Sequence, residues 1–146
     1  MPKTEFPFKK ISPYDIARPM LPISIINPET GDSVFAWGLI DTGADSCAIP
    51  AKYAGILGHK LKAGKRIKIG TGNGTTSAFA HTTEINVFDF DSNGNVNQMG
   101  KVLFPIPKTQ IHYMPKLDTI LLGVKNFLGG FIIEINYPKK SFSLKN

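Results

Sequence analysis

Phe35-Ala36-Trp37-Gly38-Leu39-Ile40-Asp41-Thr42-Gly43-Ala44-Asp45 is the stretch that decides how this 146-residue chain is read. A short apolar run closed by a glycine-containing turn is too brief for an ordinary helix and predicts a buried strand. Such a strand carries the Asp41 carboxylate off its end into a tight turn. Gly43 gives the turn backbone freedom and lets another chain or a ligand approach closely. Upstream, Leu21 to Ile26 reads as a second strand and Asn27 to Asp32 as the turn between them. Together with Ser33 to Ile40 they predict a hairpin.

Downstream, Pro50 to Ala54 reads as one short helical turn. Ile67 to Ile69 and Ser77 to Phe90 read as strand material separated by Gly70-Thr71-Gly72-Asn73-Gly74. A polar turn at Asp91 to Gly94 leads to an apolar segment, Val102-Leu103-Phe104. Thr119 to Leu122 is expected to be buried, and Val124 to Leu128 to form a short helix. Phe131 to Ile135 and Ser141 to Leu144 predict a closing hairpin around Tyr137-Pro138. Residues 1–20 read as an N-terminal extension, polar and proline-punctuated, with Phe6, Phe8 and Tyr14 placed to pin it to the body. No internal boundary or repeat divides residues 1–146, so a single domain is expected.

The composition agrees with a folded all-β chain. The apolar fraction is 42% and the charged fraction 19%, in the range of globular proteins. Fourteen glycines and eleven prolines punctuate short apolar segments. No apolar run is long enough to span a membrane and the first twenty residues lack an apolar signal core, so a cytoplasmic protein is expected. The single cysteine, Cys47, has no partner for an internal disulfide and sits among Ala48, Ile49 and Pro50 like a small core residue. His59, His81 and His112 have no metal-ligand spacing with it or with one another, so no metal is expected. The net charge of +6 raises the question of nucleic acid. Lys60, Lys62, Lys65, Arg66 and Lys68 cluster, but without interleaved aromatics, and read better as a protected strand edge than as an RNA surface.

Chemistry narrows on Asp41. Two carboxylates about 3 Å apart cannot both ionise, so a pair shares one proton and can act as base and acid together. Such a pair takes a proton from a trapped water and donates one to a scissile carbonyl oxygen, with no covalent intermediate. Only one carboxylate here has the required setting. Glu29-Thr30-Gly31 lies in a polar turn, and Asp118-Thr119 precedes an apolar run and lacks the glycine. Asp91-Ser92-Asn93-Gly94 lies between strands.

Asp41-Thr42-Gly43-Ala44-Asp45, after its apolar strand, resembles the active-site loop of the retropepsin-like aspartic proteases. Ile120-Leu121-Leu122-Gly123, some eighty residues on, resembles that family's second signature. In relatives an arginine directly follows this glycine; here Val124-Lys125-Asn126 intervenes, and Lys125 supplies only a point charge.

The resemblance implies an all-β, closed barrel-like fold with one short helix, active as a symmetric homodimer. It implies an aspartic endopeptidase in which Asp41 of each chain forms the dyad and Thr42 braces it across the two-fold axis. Gly43 and Ala44 would line the cleft floor. Asp45 would either grip substrate backbone or cap its own turn. Gly70, Thr71, Gly72, Asn73 and Gly74 would form the tip of a flap over a peptide or protein substrate. No metal or organic cofactor is implied. The partners expected are a second copy of the chain and its substrate, with no membrane and no nucleic acid. The competing reading is a non-catalytic dimeric binding or assembly module on the same fold.

Overall fold

The computed structural model describes residues 5–97 and 101–146. Among these residues ten strands carry nearly all of the regular structure. They are β1 (Glu5–Pro7), β2 (Met20–Ile26), β3 (Ser33–Ile40), β4 (Ala48–Pro50), β5 (Lys65–Thr71), β6 (Gly74–Val87), β7 (Phe104–Met114), β8 (Ile120–Leu122), β9 (Ile132–Asn136) and β10 (Ser141–Lys145). One α-helix, α1 (Lys52–Ile56), follows β4. Among the described residues no helix is long and apolar enough to cross a membrane.

The order β2-β3-β8-β4-β7-β6 closes on itself through a β2–β6 pairing, making a six-stranded barrel. Closure leaves this part of the sheet with no free edge. Alternation supplies the core: Leu21, Ile23 and Ile25 on β2, Ile85 and Val87 on β6, and Ile111 and Tyr113 on β7 are all buried. Each such side chain contributes roughly 1.5–3 kcal/mol relative to exposure. Tyr113 brings a hydroxyl into this interior and pairs it with the Thr83 hydroxyl at 2.9 Å. Burial pushes that phenol up to about 12. Cys47 is also fully buried, as a small core residue should be.

β5 lies outside the ring and pairs only with β6, so it is the edge strand of the sheet. Lys65, Arg66 and Lys68 are exposed on it, which discourages another chain from adding to that edge.

Three expectations need correction. First, the apolar segment Val102-Leu103-Phe104 leads into an eleven-residue strand, β7, that was not expected. Pro105 and Pro107 disguise it. In that stretch β7 pairs with β6 alone, since β4 joins it only at His112 to Met114, so a missing N–H on the open side breaks no ladder. Second, no helix forms over Val124 to Leu128. The chain there makes turns, with Leu128 N–H donating to Gly123 O at 2.9 Å and Gly129 N–H to Val124 O at 2.8 Å. These reach back five residues rather than four, and a single 3₁₀ turn, Leu128–Gly130, follows. Tertiary contacts set this segment instead, with Asn126 held by Cys47 N–H and Phe127 and Leu128 buried in the core. Third, Tyr14 pins nothing, being 99% exposed.

Phe6, by contrast, is buried against Phe90 and Phe142, at ring separations of 6.2 and 5.3 Å. β1 pairs antiparallel with β10, and β10 with β9, so the two ends of the chain share one three-stranded sheet.

Candidate active site

β3 and β8 run parallel, with Gly38 opposite Ile120, Leu39 opposite Leu121 and Ile40 opposite Leu122. The chain leaves both strands at the same level. Asp41 N–H donates to Leu122 O at 3.1 Å, the first bond beyond the ladder. The turn then folds over itself: Gly43 N–H donates to Asp41 Oδ1 at 3.0 Å and Ala44 N–H to Asp41 O at 3.2 Å. The carboxylate is thus held by its own loop while remaining partly open to solvent.

The segment after β8 clamps the loop from below. Val124 N–H donates to Ala44 O at 3.0 Å and Lys125 N–H to Asp45 O at 2.8 Å. The Asn126 side chain accepts from Cys47 N–H at 3.0 Å. This crossing requires Gly123. A Cβ there would lie 2.3 Å from Ser46 O and 2.8 Å from Ala44 O. The distance is far inside van der Waals contact, and both obstacles are backbone.

Above the loop stands the β5–β6 hairpin. A cavity of about 270 Å³ separates them, lined on the loop side by Asp41, Gly43, Ala44, Asp45 and Ser46, and on the hairpin side by Ile69 and Gly70. Ala48, His112, Met114 and Leu121 complete its walls. Of the residues expected at a site, Asp41, Gly43, Ala44, Asp45 and Gly70 therefore meet at one cleft. Thr42 is exposed beside it, and Thr71, Gly72, Asn73 and Gly74 lie further out on the hairpin. The turn is tighter than expected: Thr71 pairs with Gly74, so only Gly72 and Asn73 lie between the strands, and Gly74 takes φ +110°. Asp45 is exposed and enters the loop's hydrogen bonding through its backbone carbonyl.

A larger cavity, about 550 Å³, lies elsewhere, between residues 11–20 and β3, with Trp37, Lys52, Tyr53 and Asp118 in its wall. It does not include Asp41, and its Asp15 and Arg18 neutralise each other at 3.2 Å. The Arg18 guanidinium, by this hydrogen bond first, holds the Asp15 carboxyl below its ordinary range.

His112, Ile69 and Met114 are cleft residues that sequence reading missed. The signal for His112 and Met114 was the alternation with Ile111 and Tyr113, invisible while β7 was not read as a strand. Nothing in the neighbourhood supports thiol or metal chemistry. Burial pushes the Cys47 thiol up to about 11, against a weak lowering by a backbone hydrogen bond from Gly123. Native protein at pH 8 is accordingly expected to resist iodoacetamide over hours and to label fully once unfolded. Rapid native labelling would show the thiol to be accessible. Among the described residues no group of three or more His, Cys, Asp or Glu side chains is placed to hold a metal ion.

Neither a protein-family model nor a curated protein sequence matches the chain. Solved structures do. The chain superposes on a retropepsin-like aspartic protease from Rickettsia conorii with TM-score 0.56 and 21% identity, covering 88% of this chain and 98% of that one. EIAV protease, in a complex with the inhibitor HBY-793, is a weaker likeness at TM-score 0.40 and 18% identity, over 78% of this chain and 88% of that one. The fold is retropepsin-like: an all-β closed barrel with one short helix.

Proposed function

We propose that the chain is an aspartic endopeptidase that hydrolyses peptide bonds with a water activated by Asp41 from each of two copies. The observation that carries this is the Asp41 turn, which presents one carboxylate at the floor of a cleft roofed by the β5–β6 hairpin. One chain supplies half of the acid–base pair, and a two-fold axis through the site supplies the other half with a single self-complementary interface. In this reading Thr42, exposed next to Asp41, braces the two loops across the axis. Gly43 and Ala44 form the floor, and Asp45 engages substrate backbone. The hairpin carrying Gly70 to Gly74 closes over the substrate as a flap, excluding water. The reading takes the cytoplasm as the setting and needs no cofactor, membrane or nucleic acid.

A two-chain site has a kinetic signature. Below the dimer dissociation constant, peptide-cleaving activity should rise with the square of protein concentration and become linear above it. Dilution series with a fluorogenic peptide test this. Strict linearity to the lowest detectable activity, with a monomer seen by light scattering throughout, would remove the shared dyad.

A further inference from the structure

β7 divides its side chains between two environments. Ile111 and Tyr113 enter the barrel core, while Met114 joins a separate small apolar cluster with Ala48 and Ala78, packed by Ile67, Ile69, Leu117 and Leu121. His112 is on the Met114 side, half-buried, and lines the cleft beside the Asp41 loop. Its cross-strand neighbours are Ala48 on β4 and Ala80 on β6, both too small to cover an imidazole. Ala48, Ile69, Met114 and Leu121 make that wall of the cleft apolar, and His112 is the only titratable side chain in it.

The charges facing His112 come from two elements. Lys125, on the turn after β8, opposes its protonation, adding to the larger effect of burial, and both hold the imidazole below its ordinary range. Asp41 and Asp45 of the active loop line the same cavity, but neither offsets this lowering. Asp45 and Lys125 are both exposed, where solvent screens their charges, so burial is the main cause. His112 is therefore a proton acceptor in a partly desolvated wall, with the Lys125 ammonium nearby. Asp41 and Asp45 share the cavity, but among the described residues no carboxylate is hydrogen-bonded to the ring. Such an arrangement is completed by an anion of the ligand.

We infer that His112, assisted by Lys125, makes the subsite beside the Asp41 loop select an acidic side chain, Asp or Glu, of the bound peptide. The inference rests on the endopeptidase reading for what happens to that peptide, but not for its binding. Docking a carboxylate against the imidazole draws a proton onto His112 and leaves the pair charge-balanced. The pH dependence follows in sign. The free imidazole is mostly neutral at pH 7 because its charged form is disfavoured, while a peptide carboxylate stays ionised above about pH 4.5. Acid selectivity is greatest between about pH 5 and 6, where binding protonates His112 at least cost, and fades towards pH 8.

The test uses full-length protein carrying Asp41→Asn, so that binding is read without turnover. Hexapeptide pairs identical except for Asp or Asn at one position, with that position walked along the peptide, are titrated at pH 5.5 and pH 8. At one position the Asp peptide should bind about tenfold tighter at pH 5.5 and less than about twofold tighter at pH 8. His112→Gln should erase that difference, and His112→Asn should do the same if the first variant folds poorly. The His112 ring-proton shift in NMR should titrate about one pH unit higher with the Asp peptide bound than with the Asn peptide. Equal binding of every pair, no binding of either peptide, or a preference surviving in both variants overturns the inference. Wild type that cuts peptides without acid preference also overturns it and leaves the endopeptidase reading standing. Wild type that captures acidic peptides through His112 but cuts none supports it and removes the endopeptidase reading.

Discussion

Asp41→Asn should lower peptide cleavage at least a thousandfold while the protein keeps its fold. Asparagine matches aspartate in size, and its Oδ1 can still accept the Gly43 N–H that holds the side chain at 3.0 Å in the native turn. Asp41 is only partly buried, so the exchange disturbs little packing. What disappears is the group proposed to accept a proton from water, and loss of one positioned acid–base function typically costs about 10²–10⁴ in rate. In the proposed dimer one substitution changes both halves of the site, which favours the upper part of that range. The measurement is cleavage of a diverse peptide mixture between about pH 4 and 7, where a shared-proton carboxylate pair titrates, read by mass spectrometry at high protein concentration. Cuts that vanish in a variant with wild-type melting and association behaviour identify Asp41 as the catalytic group. A verified wild-type dimer that cuts nothing moves the binding-module reading ahead. Equal cutting by both proteins assigns the activity to a contaminant.

Gly123→Ala should be strongly damaging; among the described glycines only Gly64 would bring a Cβ as close to backbone. At position 123 the Cβ would sit 2.3 Å from Ser46 O and 2.5 Å from Ser46 C, so no side-chain rotation relieves the clash. Either the Asp41 loop lifts or the chain after β8 retreats. Both movements put at risk the bonds from Asp41 N–H to Leu122 O, Val124 N–H to Ala44 O and Lys125 N–H to Asp45 O. Overpacking of this kind costs about 1–3 kcal/mol, and each lost backbone bond adds about 1 kcal/mol. A loss near 4 kcal/mol corresponds to a melting temperature lower by roughly 10 °C for a chain of this size. Gly130→Ala is the control, since a Cβ there meets nothing within 4 Å. Calorimetry that finds the two variants equally stable would show that the close crossing of loop and strand does not constrain the fold.

Where the sequence was legible, the signals were local and physically complete. The β2–β3 hairpin combined two apolar runs with a polar turn. The Asp41 loop combined an apolar strand with a glycine turn, and the terminal hairpin behaved alike. Gly123 was legible only through the resemblance to the second signature; the crossing chain that leaves no room for a Cβ there came from the structure. What stayed hidden depended on partners distant in sequence. Pro105 and Pro107 look like strand breakers until it is known that one side of β7 is open there. His112 could not be placed in the cleft until β7 was a strand with two faces. Val124 to Leu128 has helix-compatible residues, yet Asn126 is committed to Cys47 N–H, and Phe127 and Leu128 to the core. β1 went unseen because three residues ending in proline carry no strand signal unless β10 lies alongside.

That last pairing separates two questions which a shared active site tends to merge. With Phe6 opposite Phe142 and Glu5 opposite Ser143, the first strand finds its hydrogen-bond partners in the same polypeptide. If two copies pair as proposed, they need not trade this strand, since its partner is already in the same chain. On that reading folding and assembly are separate equilibria, and the amount of protein present governs how many shared sites exist rather than how many molecules survive.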